Sequence, residues 1–475
     1  MSRRTPLLVF AAISATALVL LLGPAALAVV RGGLNLGILF ITSHIFFVDS
    51  ADFIMRLYHR HLHVSPEPGE SAAALSVPLR SGDLTERQKR IHVRPYALLA
   101  SVANLGPDVE SFVRAMEPHK DRLWVIDDAS TDDTRLMLRK AGIRCIAGFP
   151  NRKKPGALRE LVRQLPPEIV TVLVLDPDSR ILDSSGGSLV DLESSLFDFQ
   201  RSGMAGVCPR LTLQGEGWLA KLQKLEYCFT FSLVRKSLAD LAVTSGIAVY
   251  RRDALEAVLE RHSLSVYAED LRNALLLLAR GERIYYDGRL VVETEPKRTW
   301  REWFSQRVGW FYGLLKVYLE QVRDVGHIIR QGSLPFYQYA IYLGVFTILL
   351  HPVKVVSLLL LVLSLANGAD YLLGLGIVPN SRWSEPSYFL LIWLMYTSLT
   401  VVMFYLCVDR RERAELAPVV PVYVFYALAQ IVPATFGYLN WFTVRITGRR
   451  IYRDHFEGDD RPGGNLTSGP GRVPA

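Results

Sequence analysis

Thr171-Val172-Leu173-Val174-Leu175-Asp176-Pro177-Asp178-Ser179 is a short run of leucine and β-branched residues that empties into two carboxylates separated by one proline. A run of this length, closed by Asp-Pro-Asp, reads as a strand buried on both faces and ending in a turn. Working outward, Tyr96 to Ala103, Leu123 to Asp127, Ile143 to Ile146, Met204 to Val207 and Thr244 to Tyr250 have the same character, and the stretches between them carry helical periodicity. Such alternation predicts an α/β domain with a mostly parallel sheet and helices on both faces. Ligands on such sheets bind beyond the carboxyl ends of the strands, so the residues that end each strand are the candidates for chemistry.

Two strands end in acids. Asp127 and Asp128 leave the Leu123 strand, and Asp132 and Asp133 just beyond them suit the cap of the next helix. Capping does not explain the pair at the strand end. Asp176 and Asp178 can converge on one hard cation while leaving positions for water and a diphosphate, which suits Mg²⁺ or Mn²⁺. Further on, Glu269-Asp270 opens the apolar run Leu271 to Ala279, where a plain helix-dipole role would also place acids. Gln306-Arg307-Val308-Gly309-Trp310 lies in the aromatic-rich stretch Thr299 to Glu320, which alone reads as an interfacial amphipathic helix.

The flanks are of another kind. Half of the 475 residues are hydrophobic, 21 % are charged and mean hydropathy is +0.20, too apolar for a soluble enzyme and too charged for a chain that is membrane throughout. Leu7 to Val30 and Gly33 to Val48 are long enough to pair as spans, and residues 1–56 form an amino-terminal membrane region on this reading. The competing reading of the first run is a cleaved signal peptide, with Arg3 and Arg4 before it and Ala26-Leu27-Ala28 within it. Residues 57–93 read as linker, 94–296 as the polar domain, 297–333 as interfacial helices, 334–444 as three or four spans broken near His351-Pro352, and 445–475 as a polar tail. The net charge of +8 sits in clusters beside the apolar runs (Arg56 and Arg60; Arg410, Arg411 and Arg413; Arg445, Arg449, Arg450 and Arg453), a pattern that favours anionic headgroups over nucleic acid as the partner. Cys145, Cys208, Cys228 and Cys407 have no zinc spacing and no disulfide density, so they read as packing residues in a reducing compartment.

In this order the motifs resemble those of the membrane-integrated processive members of glycosyltransferase family 2, which include cellulose, hyaluronan and chitin synthases. The resemblance runs from about Tyr96 to Tyr312 and rests on Asp127-Asp128, Asp176-Pro177-Asp178, Ser245-Gly246 leading to Tyr250-Arg251-Arg252, Glu269-Asp270 and a diverged Gln306-x-x-x-Trp310. It implies a GT-A-like nucleotide-sugar domain on the cytoplasmic side of the cell membrane, flanked by transmembrane helices, that transfers sugar with inversion to a growing polysaccharide and translocates it.

By resemblance, Asp127 or Asp128 contacts the nucleotide base, Lys153 and Lys154 lie in a basic loop near the nucleotide, Asp176 faces the ribose and Asp178 ligates the metal. Asp270, with Glu269 beside it, is the general base. Leu222 to Tyr227 borders the acceptor, and Gln306 and Trp310 line its entrance. Implied partners are a nucleotide-sugar donor, expected to be a UDP-sugar, a polysaccharide or glycolipid acceptor and the lipid bilayer.

Two positions depart from the family pattern. Ser101-Val102-Ala103-Asn104 replaces the usual turn after the first strand, and Gly309 stands where the family has arginine. Arg307 is the candidate to meet the charge in its place if a break at Gly309 lets the helix rotate. The alternatives are a transferase adding one sugar to a polyprenyl-phosphate carrier, a catalytically reduced partner protein, and an extracytoplasmic binding protein. The last is opposed by the carboxyl-terminal spans and the missing disulfides.

Overall fold

The computed structural model describes residues 46, 49–58, 89, 92–182, 192–238, 240–263, 265, 267–377 and 386–453. The two amino-terminal spans, most of the linker and the end of the polar tail therefore lie outside the described residues.

Eight strands form one sheet: β1 Tyr96–Val102, β2 Leu123–Asp128, β3 Cys145–Gly148, β4 Thr171–Leu175, β5 Arg180–Ile181, β6 Gly206–Leu213, β7 Ala248–Arg251 and β8 Ile284–Thr294, in the order β3-β2-β1-β4-β7-β6-β8-β5. The domain helices are α1 Val109–Met116, α2 Thr134–Lys140, α3 Lys153–Arg163, α4 Leu192–Ser202, α5 Trp218–Phe229, α6 Arg252–Leu259 and α7 Glu269–Ala279. β4 is buried along its whole length, as its unbroken apolar sequence requires.

The sheet is parallel across β3-β2-β1-β4 and again between β6 and β8, as expected, but β7 runs antiparallel to β4 and β6, and β5 to β8. The cause is local. β7 follows the turn at Ser245-Gly246, which lies at the carboxyl edge of β4, so the chain enters the sheet from the edge where β4 leaves it. Strand order reverses between β1 and β4, creating the crevice where an open sheet binds ligands. Register fixes what meets there. Asp127 pairs with Val102 and Leu175 with Ala100, so the acid ends of β2 and β4 flank β1, about 10 Å apart at two strand spacings.

Beyond the sheet, the Thr299 hydroxyl accepts from the Glu302 amide and the Glu302 carboxylate returns to the Thr299 amide, a capping box that starts α8, Trp300–Glu320. After α9, Val322–Ile329, the chain forms a wide-turned helix Phe336–Leu349, then α10 His351–Leu373, α11 Pro386–Cys407, α12 Tyr423–Ala429 and α13 Ile431–Thr447. The break expected near His351-Pro352 is present: α10 begins at His351 with Pro352 in its first turn, where a missing N–H costs nothing. Among the described residues, His351–Leu373, Leu390–Cys407 and Arg413–Thr447 are long and apolar enough to cross a membrane.

α8 does not lie loose on a surface. It crosses α13 at Gly437, where a Cβ would come within 2.8 Å of the Val308 carbonyl oxygen and the Tyr312 amide nitrogen. Arg56, expected among headgroup-facing cations, is instead buried, donating to Asp52 at 2.7 Å, Ser237 at 3.3 Å and Gln338 at 3.2 Å. A carboxylate one helical turn away makes burial of that guanidinium tolerable. The four cysteines are free thiols, with Cys208 and Cys407 buried.

Candidate active site

At the head of β2, Asp127 and Asp128 are both buried and have different surroundings. The Asp128 carboxylate accepts the Arg152 amide at 2.8 Å, and its carbonyl accepts the Asn151 side chain at 2.9 Å, so Asp128 shapes the loop carrying Lys153 and Lys154. Burial raises its carboxyl pKa, which the Arg152 and Lys153 amides partly offset. Among the described residues the Asp127 carboxylate receives only a long contact, 3.4 Å, from the Ser130 amide. Asp132 accepts from Gly106 at 2.9 Å, and Asn104 accepts from the Thr131 amide at 2.7 Å. The atypical turn after β1 is thus tied to the loop after β2.

Lys154 is the hub of the cleft. From the first turn of α3 its ammonium reaches Asp176 at 2.5 Å, Glu269 at 3.1 Å and the Gly246 carbonyl at 3.2 Å, drawing together the ends of β4, α7 and the β7 turn. Burial opposes its charge, but Asp176 and Glu269 outweigh this and raise its pKa. Glu269 and Asp270 are both raised, chiefly by desolvation, with Lys154 pulling the other way. Asp178 sits at the open side of the cleft. Desolvation and then the neighbouring Asp176 charge raise its carboxyl, partly countered by the Thr294 hydroxyl and Lys297.

Gly246 is a position that sequence reasoning grouped with its motif but gave no role. A Cβ there would lie 2.7 Å from the Asp176 carboxylate and 3.2 Å from the Lys154 ammonium. Gly246→Ala is therefore expected to displace Asp176 and lower turnover at least about tenfold, since small misplacements of a reacting site are costly. Unchanged turnover in a variant with a native circular dichroism spectrum would show that the contact relaxes freely.

The α8 residues form a second group. Arg307 is 1 % exposed, donates to Glu226 of α5 at 2.6 Å and to the Tyr426 hydroxyl of α12 at 3.3 Å, and stacks 3.9 Å from the centre of the Trp310 ring. Tyr426 also donates to Glu226 and receives the Trp303 indole N–H at 2.9 Å. Burial opposes the Arg307 charge, and Glu226 more than restores it. α8 runs unbroken through Gly309, so the break that would let Arg307 rotate toward the diphosphate side is absent. Trp310 is 40 % exposed and Gln306 half-buried. Tyr426 carries no local motif and could not be found from sequence.

The sequence model of glycosyl transferase family group 2 matches residues 171–408, half of the chain, from β4 through α11. The chain belongs to that family. It is accordingly a glycosyltransferase, and the α/β domain flanked by apolar helices is the fold expected of it. Among solved structures, it is similar to a mannosyltransferase from Pyrobaculum calidifontis in complex with GDP-Man and Mn²⁺, at 14 % identity and a TM-score of 0.45, covering 77 % of this chain and 99 % of that one. It is also similar to glucosyl-3-phosphoglycerate synthase from Mycobacterium tuberculosis in complex with Mn²⁺, UDP and phosphoglyceric acid, at 17 % identity and a TM-score of 0.34, covering 49 % and 82 %. No curated protein matches the sequence significantly. The family assignment rests on the sequence match alone.

Proposed function

We propose that this family 2 glycosyltransferase is membrane-bound and inverting, and that it moves a sugar from a nucleoside-diphosphate donor, a UDP-sugar by preference, to a growing polysaccharide that it passes across the bilayer. The acceptor hydroxyl attacks the anomeric carbon, the bond to the diphosphate oxygen breaks, and the hydroxyl proton goes to Asp270. Glu269 holds Lys154, and Lys154 holds Asp176. Asp127, the less engaged acid at the head of β2, takes the nucleotide base, while Asp128 holds the Lys153 loop.

Among the described residues no three His, Cys, Asp or Glu side chains converge as a complete ligand set. Two neighbouring carboxylates, Asp176 and Asp178, fit a cation whose other ligands are diphosphate oxygens and water. They would hold Mg²⁺ or Mn²⁺, which neutralises the leaving group when bound.

The observation that carries the polymer reading is a cavity of about 320 Å³ that has Glu226 in its wall. It lies among the apolar helices and is also lined by Phe53, Phe229, Tyr342, Tyr396, Lys354 and His351. Glu226 lies within Leu222 to Tyr227, the stretch of α5 that by resemblance borders the acceptor. Aromatic faces with interspersed polar groups suit a saccharide. Membranes incubated with a panel of radiolabelled nucleotide sugars should yield a ladder or smear of high-mass product from one donor. A single sugar on an organic-soluble lipid would instead establish the polyprenyl-phosphate alternative.

The catalytic domain is proposed to be cytoplasmic, where nucleotide sugars are available. With the four native cysteines replaced, Glu216→Cys should resist a membrane-impermeant maleimide in intact cells and react after lysis. Strong labelling of intact cells would overturn this orientation.

A further inference from the structure

We propose that Arg450, in the segment after the last apolar helix, is a positioning residue for the acid pair Glu269-Asp270. The inference rests on the reading of Asp270 as the base and adds a part of the chain that no motif connects with the cleft. The residues just before the acids are held in an unfavourable conformation. Ala268 has a φ of +50°, left-handed and costly for a residue with a Cβ. It is tolerated because Gly313 of α8 leaves room: a Cβ there would lie 3.0 Å from both the Ala268 amide nitrogen and its Cβ.

Tyr267, one residue earlier, is fully buried, with its ring 4.7 Å from that of Tyr312 and with Trp441 and Val444 of α13 packed against the pair. The Arg450 guanidinium closes this cluster. It donates to the Tyr267 hydroxyl and stands 4.9 Å from the Tyr267 ring centre and 4.7 Å from that of Tyr312. Lys316 donates to Ser265 at 3.0 Å, and Ser265 accepts the Tyr267 amide at 3.3 Å.

Arg450 is itself held in place. Gly448 ends α13 in the left-handed conformation, reversing the chain. Buried Asn440 then accepts the Ile451 and Tyr452 amides at 2.9 and 3.0 Å and donates to the Tyr452 carbonyl at 2.9 Å. The Tyr452 ring packs on Phe304 and Phe436. The basic cluster that sequence assigns to headgroups therefore sends one member back to the loop that sets the base. A cation stacked on two rings and bonded to one hydroxyl fixes both the position and the rotation of Tyr267. Three residues on, that rotation sets the approach of Asp270.

The test uses full-length protein in nanodiscs, with UDP as the binding probe and the productive donor from the panel for turnover. Arg450→Ala should lower sugar transfer at least tenfold while UDP affinity and donor KM stay within about twofold. Arg450→Lys should recover part of the loss, since it keeps the cation but not the fork. Tyr267→Phe should lose less than Arg450→Ala, and the double variant should be no worse than Arg450→Ala alone, because both changes break one contact. Transfer within twofold in Arg450→Ala, parallel loss of UDP affinity, or fully additive losses in the double variant would each overturn the clamp. If Arg450→Ala does not accumulate, Arg450→Lys and Tyr267→Phe decide, and wild-type transfer in both overturns it. Asp270→Asn run alongside separates the two claims. Full turnover there removes the base and this inference together, whereas its loss beside a normal Arg450→Ala removes the clamp alone.

Discussion

If Asp178 holds the cation as proposed, Asp178→Asn is expected to lower turnover on the order of 10²- to 10³-fold, because several kcal/mol of charge stabilisation at the leaving diphosphate would go with the ligand. Donor binding should weaken with it, as a cation held by Asp178 and Asp176 would offset the charge of the donor's diphosphate. Asp270→Asn should behave differently: turnover falls about 10²- to 10⁴-fold while nucleotide affinity is largely kept, as for a base that acts in the transition state. The pH profile gives an independent check. Desolvation raises the Asp270 and Glu269 carboxyls, so as pH falls they gain protons sooner than an ordinary carboxylate. A protonated base cannot accept the hydroxyl proton, so the acid limb of kcat should lie above the usual carboxylate range and flatten in Asp270→Asn. Equal loss of nucleotide affinity in both variants would sink the division of roles.

These two acids lie in stretches that sequence could read, and the reason is locality. Asp176 and Asp178 follow an unbroken apolar strand, Glu269 and Asp270 open an apolar helix, and both patterns are set by residues within a few positions. β8 escaped because Asp287-Gly288-Arg289 interrupts its apolar pattern and its partner β6 shifts register between Pro209 and Arg210, so neither strand shows a clean period. The strand expected over Thr244 to Tyr250 is present as β7, but its antiparallel direction escaped, because direction is set by where the chain re-enters the sheet, which composition does not encode.

Long-range partners were the other blind spot. Arg56 looked like a headgroup anchor because its Gln338 partner is 282 positions away, and Arg450 did so because Tyr267 is 183 positions away. The split between Asp127 and Asp128 depended likewise on the Arg152 amide, contributed by a loop after the next strand.

Arg307→Ala should be among the most damaging single changes in the chain, through structure as well as activity. The guanidinium is buried, bonded to Glu226 and Tyr426 and stacked on Trp310, and its Nε and Nη1 have no hydrogen-bond partner among the described residues. Removing one member of a buried ion pair typically costs about 3–5 kcal/mol, since the remaining charge is left uncompensated. Here, among the described residues, Glu226 keeps only the Tyr426 hydroxyl. Because Glu226 lines the cavity, its disturbance should also shorten or abolish the polymer that the proposed function makes the product.

If Arg307 stood in for the family arginine, adding Gly309→Arg to Arg307→Ala should restore activity, and packing argues against such rescue. Two helical positions apart is about 200° of rotation, so an arginine at 309 points away from Glu226, and Gly309 is itself buried in unbroken α8. Arg307→Ala with Glu226→Gln is the informative pair. It removes both charges and should recover much of the lost thermal stability, while transfer stays low if the cluster guides the acceptor from cleft to cavity. Thermal melts and product sizing on these variants decide the matter. Recovery of activity by Gly309→Arg would show that the charge serves the diphosphate, and full activity in the uncharged pair would reduce Arg307 to a packing residue.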